Sequence, residues 1–164
     1  MGVAADSASA SREQFMRVAL TMAERGMASG GPPVGACLVH EGAVVAKSHN
    51  AVIGELDITA HAEIVAIREA CRALRSLSLV DCSLFVTVQP CPMCLSACYY
   101  AGISEIIYGA AIEAMQAITH SELCVSPSEL FAGRAAQPMI TGGVLANECQ
   151  ALLTGWGASK GGTS

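Results

Sequence analysis

"TVQPCPMC", Thr87 to Cys94, ends an apolar, β-branched run and sets two prolines and two cysteines in its last five residues. Upstream lies "TAHAEIVAI", Thr59 to Ile67. Each stretch reads as the opening turn of a helix, one entered from a strand and one from irregular chain. A Cys-x-x-Cys pair at a helix start brings two sulfurs to one ion. The free N–H groups and dipole of that terminus favour thiolates. Pro90 and Pro92 restrict the chain around Cys91, so less freedom is lost on ligation. Cys91, Cys94 and the imidazole of His61 make three ligands for zinc. Three ligands with a fourth position open to water is the catalytic pattern, whereas structural sites close with four. Glu63, two residues past His61, stands beside such a water, where a carboxylate can take a proton and return it to a leaving group. The competing readings are a closed zinc site with Cys98 as fourth ligand, and simple burial of the cysteines.

Working outward, "SREQFMRVALTMAERGMAS" predicts a first helix from Ser11, with Gln14 in capping-box spacing and an end near Gly26. "VGACLVH" and "AVVAKS" flank Glu41-Gly42 and predict a hairpin. "HNAVIGELDIT" reads as irregular. "AHAEIVAIREACRALRS" is a helix with Arg68, Arg72 and Arg75 on its polar side. "CSLFVTV" and "EIIYGA" are strands around the helix "PCPMCLSACYYAG", which Gly102 stops. "AIEAMQAIT" and "SPSELFAG" are candidate helices, "QPMITGG" a short turn or strand, and "VLANECQALLTGW" a final helix. The order predicts an α/β domain of three αβα layers around a mixed central sheet. The expected organisation is a flexible N-terminus over 1–10, one domain over 11–156 and a flexible tail over 157–164.

With 164 residues, 52% hydrophobic and 14% charged, the chain suffices for one domain with a sizeable core. Its formal net charge is −5, and lysine occurs only at 47 and 160. That opposes the basic stripe that nucleic-acid binding needs, so nucleic acid is not expected as a partner. The opening segment "MGVAADSASASREQ" has neither a cationic start nor an apolar h-region. No apolar run is long enough to span a bilayer. The expectation is a cytoplasmic protein whose eight cysteines serve as ligands and core residues rather than as a disulfide framework.

H-x-E followed by P-C-x-x-C is the signature of zinc nucleobase deaminases, here as "HAE" and "PCPMC". The chain resembles that superfamily, the cytidine and deoxycytidylate deaminase-like proteins, over most of its length. "PPVGACLVHEGAVVAKSHN" is similar to the family's first hairpin, and "DITAHAEIVAIREAC" to the bacterial guanine deaminases. "LVDCSLFVTVQPCPMC" is similar to these and to the tRNA adenosine deaminases, and "GVLANECQALL" to the latter. The resemblance implies a cytidine-deaminase-like fold, His61, Cys91 and Cys94 as Zn²⁺ ligands, and Glu63 as proton shuttle. It implies Asn50 as the base-contacting asparagine and the Ala62 N–H as a contact to a ring carbonyl. It implies a homodimer through helices near the Cys-x-x-Cys segment, with Tyr99 and Tyr100 at the contact. Two departures stand out. Gln89 takes the place of the usual glutamate before Pro-Cys. "GAAIEAMQAI" lacks the Arg-Asp-Lys cluster of the tRNA enzymes.

The activity so implied is hydrolytic deamination of a free nucleobase, with isocytosine or guanine favoured and cytosine or an aminotriazine next. The alternatives are a tRNA adenosine deaminase and a non-catalytic zinc-stabilised module. Glu113 is a candidate acceptor for an amino-substituted ring edge, against a solvated helix carboxylate. Trp156 is a candidate cover for the ring, as terminal aromatics are in small-base deaminases, against ordinary helix packing. His120 is a further candidate near the pocket, while His40 and His49 read as surface or hairpin residues.

Overall fold

The computed structural model describes residues 3–160. The elements are α1 (Val3–Ala28), β1 (Gly35–His40), β2 (Ala43–His49), α2 (Val52–Glu55), α3 (Ala62–Leu74), β3 (Cys82–Val88), α4 (Pro92–Ala101), β4 (Glu105–Ala110), α5 (Ile112–Thr119), α6 (Pro127–Leu130), β5 (Met139–Thr141) and α7 (Ala146–Lys160). The five strands form one sheet in the order β2-β1-β3-β4-β5. β1 pairs antiparallel with both β2 and β3, while β3–β4 and β4–β5 are parallel. The mixed sheet and its flanking helices are the expected α/β architecture.

Alternation across the sheet builds the layers. Ala36 and Leu38 of β1, Leu84 and Val86 of β3 and Ile106 of β4 face α3 and α4, where Ala62, Ala66, Ala70, Leu95 and Cys98 fill the gap. Cys37, Val39, Phe85 and Ile107 face the other way, onto Met16 and Ala19 of α1, Met115 of α5 and Leu153 and Trp156 of α7. Because both faces are covered, the central strands are buried throughout and read as continuous apolar runs. Each fully buried leucine or isoleucine contributes about 1.5–3 kcal/mol. Gly35 is where α1 lies closest to the sheet: a Cβ there would stand 2.1 Å from the Ala19 carbonyl oxygen and 2.3 Å from Ala23 N.

The hairpin turns at Glu41 and Gly42, with φ of 50° and 77°. Positive φ at both positions is the two-residue turn whose twist matches the flanking strands. The strands "CSLFVTV" and "EIIYGA" end where the sequence places them, and Gly102 stops α4. Three boundaries differ. α1 begins at Val3 and runs through Ser11, because "AADSASA" contains no proline or glycine to break a helix. The "HNAVIGELDIT" stretch holds the single turn α2, closed by Leu56 at φ 51°. α7 extends through "GAS" to Lys160. The expectation of a flexible tail at 161–164 and of a flexible start at 1–2 lies outside the described residues. All eight cysteines are free thiols. Among the described residues no helix is long and apolar enough to cross a membrane.

Candidate active site

α3 and α4 pack side by side on one face of the sheet, and their N-termini carry the decisive residues. His61 is the N-cap of α3 and Cys91 the N-cap of α4, both with extended backbone and neither capped by a side-chain hydrogen bond. The first-turn N–H groups therefore remain available to favour negative charge. β3 and β4 are parallel, and the turn into α4 leaves β3 at its carboxyl end, where ligands bind in open α/β sheets.

The His61 Nδ1 atom lies 3.7 Å from the Cys91 sulfur and 3.6 Å from the Cys94 sulfur. All three donor atoms fall within 4.8 Å of one another. A tetrahedral zinc with ordinary Zn–S and Zn–N bond lengths sets sulfur and nitrogen about 3.6 Å apart, so this donor set fits the ion. Charge points the same way. The neighbouring Cys94 side chain pulls the Cys91 thiol down to about 4, while Cys94 is pushed up by Cys91 and by burial. Thiolate character at Cys91 suits ligation, which requires a deprotonated sulfur. His61 is raised, chiefly by the Cys91 sulfur. Cys98 is fully buried in the core outside this donor set, so no fourth sulfur closes the site.

Glu63 is 3% exposed, and its Oε2 is buried with no hydrogen-bond partner among the described residues. Burial raises its pKa to about 7. An orphaned carboxylate oxygen beside an ion-binding triad is aimed at something the protein does not itself supply.

Above this floor opens a cavity of about 460 Å³, in the range of small-molecule pockets. His61, Glu63, Cys91 and Gln89 form its base, and Val34, Asn50, Ile112, Met115 and Trp156 stand around it. Asn50 is 8% exposed. Its Oδ1 accepts from the Val52 N–H at 3.2 Å, and the residue lines the cavity. Ala62 is buried at the first position of α3, and its carbonyl accepts from Ser48 Oγ at 2.6 Å. Trp156 lines the wall and is at the same time 7% exposed core.

Glu113, weighed as a ring-edge acceptor against a solvated helix carboxylate, is exposed and outside the cavity lining. The helical register of α5 turns Ile112 and Met115 inward, which puts Glu113 on the opposite side. His120 is likewise exposed, at the left-handed C-cap of α5. The acidic residue of the wall is instead Glu122, which sequence reasoning missed. Gln116 Oε1 accepts its backbone N–H at 2.6 Å and Thr119 Oγ1 donates to its carboxylate at 3.3 Å. The signal available was its position in the polar run "THSE" after α5, among several polar neighbours.

Residues 9–110 match the family model described as the cytidine and deoxycytidylate deaminase zinc-binding region. The chain is 46% identical over 99 residues to a tRNA-specific adenosine deaminase of Aquifex aeolicus, covering 60% of this chain and 66% of that protein. It is 44% identical over 99 residues to a guanine deaminase of Bacillus subtilis, covering 60% and 64%. Over these matches the chain spans just under two thirds of the length of each relative. Among solved structures, a guanine deaminase from Nitrosomonas europaea superposes with a TM-score of 0.81 at 26% identity, covering 89% of this chain and 84% of that one. With the motif pair, the donor triad and more than half of the chain in agreement, this protein belongs to the cytidine and deoxycytidylate deaminase zinc-binding family.

Proposed function

We propose that the protein is a zinc-dependent hydrolytic deaminase of a free nucleobase carrying the 2-amino-4-oxo edge common to isocytosine and guanine. His61, Cys91 and Cys94 hold the ion. Zinc bound there supplies Lewis acidity that makes water a nucleophile near neutral pH. Glu63 accepts a proton from the attacking water and passes it to the ring nitrogen beside the reacting carbon, then takes the proton of the newly added hydroxyl and gives it to the departing amine. One water enters, the C–N bond breaks, a carbonyl forms and ammonia leaves. Asn50 donates its amide hydrogens to a ring acceptor, the Ala62 N–H meets the ring carbonyl, and Glu122 accepts N–H groups of an amino-substituted edge. Trp156 covers the ring. The protein works as a homodimer; the 85% exposure of Tyr100 on α4 supports a contact there.

The observation that carries this reading is the buried Glu63 oxygen, unpartnered among the described residues, on the floor of a small cavity whose described walls contain no lysine or arginine. A phosphate backbone needs cations at the mouth. Arg12, Arg17 and Arg68 are engaged by Glu105, Glu148 and Asp57. The second reading, a tRNA adenosine deaminase, is favoured by the identity to such an enzyme through the motif region. Ammonia release from a panel of free bases, nucleosides and tRNA separates them. Turnover of guanine or isocytosine with silent tRNA supports the proposal, and inosine formation in tRNA at a competitive rate reverses it.

A further inference from the structure

Among the described residues the buried polar side chains are Ser48, Asn50, Glu63 and Thr87. Asn50 and Glu63 belong to the cavity. Thr87 does not line it, yet its hydroxyl joins the two halves of the site. Thr87 Oγ1 accepts from the Gly35 N–H at 3.1 Å and donates to the Pro33 carbonyl at 3.3 Å, both contacts buried. The β1–β3 ladder ends at the pair Ala36↔Val86. One residue further, the hydroxyl takes over the task of the backbone ladder.

Pro33 and Gly35 flank Val34, a cavity-wall residue whose carbonyl accepts from the Asn50 N–H at 2.9 Å. Gly35 is held from behind by α1, whose backbone leaves no room for a Cβ. On its other side Thr87 continues directly into Val88 and Gln89, both in the cavity lining, and then Cys91. Gln89 is fixed in turn by its N–H to the Ala110 carbonyl at 2.8 Å. The hydroxyl is thus a short buried link from the strand that delivers the metal-ligand turn to the segment that delivers Val34 and Asn50.

We propose that Thr87 is a positioning residue that sets the substrate wall, Val34 and Asn50, at its working distance from the metal-binding floor. This rests on the reading of Asn50 as a base contact. A shifted wall weakens binding of the ring while leaving the floor able to react, so the effect falls on KM more than on kcat.

The test uses the zinc-loaded full chain. Thr87→Val keeps shape and removes both hydrogen bonds; Thr87→Ser keeps the hydroxyl. Amide hydrogen exchange by NMR requires no substrate. In Thr87→Val, faster exchange confined to Gly35 and Asn50, with Thr87→Ser close to the parent protein, is the expected result. Unchanged exchange at Asn50, or acceleration spread evenly over the sheet, overturns the proposal. With the base identified by the panel, KM in Thr87→Val is expected to rise about tenfold at nearly constant kcat and zinc content, the size typical of lost supporting contacts. A fall in kcat with unchanged KM also overturns it. Failure of the deaminase reading would show separately, as no ammonia from any base in the parent protein, and leaves the exchange result standing.

Discussion

The floor of the site and its wall are built by opposite means. The floor comes from two short motifs at two helix N-termini, and its donor atoms sit within 4.8 Å. The wall gathers Val34, Asn50, Glu122 and Trp156 from the segment before β1, the end of β2, the chain after α5 and the last helix. The floor is tied down by local backbone geometry, proline rigidity and helix dipoles. The wall depends on how distant segments pack. The lesson is that reaction type belongs to the floor and substrate choice to the wall, and damage to each should show in different measurements.

The harshest way to test that division is to remove the metal. Chelation, or Cys91→Ser, is expected to abolish turnover and lower the melting temperature. A ligand at a thousandfold excess over its dissociation constant stabilises by about 4 kcal/mol. Retained melting temperature and activity after verified zinc loss would remove the floor from the chemistry.

Next in size is Glu63→Gln. Glutamine is close to isosteric, so fold and zinc content are expected to persist while ammonia release falls by roughly 10²–10⁴ or more. Near-normal turnover with bound zinc would separate Glu63 from the reaction. Loss of zinc would instead make Glu63 part of the metal's support.

On the wall, Trp156→Ala is expected to destabilise by about 3–5 kcal/mol, the usual cost of emptying a tryptophan site in a core, and to raise KM in the protein that remains folded. Trp156→Phe should recover most of the stability. Denaturant melts and KM measured on the two variants distinguish packing from ring cover: an unchanged KM in Trp156→Ala leaves only packing.

The smallest expected effect is also the sharpest comparison. Glu122→Gln removes a charged acceptor from the cavity, and KM is expected to rise about tenfold, the worth of one hydrogen bond to a charged group. Glu113→Gln, exposed one helical face away, is expected to leave kcat and KM within about twofold of the parent, as surface substitutions do. Equal effects of the two would show that the cavity wall has been assigned to the wrong carboxylate.

The helix starts at His61 and Cys91, the strands "CSLFVTV" and "EIIYGA", and the Glu41-Gly42 turn were legible because each is settled within a few residues. Cap chemistry, proline placement, apolar alternation and positive-φ tolerance are local properties. The start of α1 was misplaced for the converse reason. A capping-box pattern at Ser11 is a permission, and alanine- and serine-rich chain upstream allowed the helix to continue. The turn α2 was illegible because four residues between Asn50 and Asp57 carry too little periodicity to mark a helix.

By itself, then, the sequence determined the donor set and placed a carboxylate, Glu63, beside it. Ligand chemistry is written in residue type, and Cys-x-x-Cys and His-x-Glu spacing at helix N-termini leaves little geometric freedom. Only the tertiary structure decided which carboxylate lines the cavity wall. Glu113 and Glu122 are near neighbours in the chain, and α5 turns one outward while the segment after it carries the other into the wall. Only the tertiary structure likewise set the buried Thr87 hydroxyl against Pro33 and Gly35, across a sequence separation of more than fifty residues. Contacts of that kind arise from sheet pairing and layer packing, which no local pattern encodes.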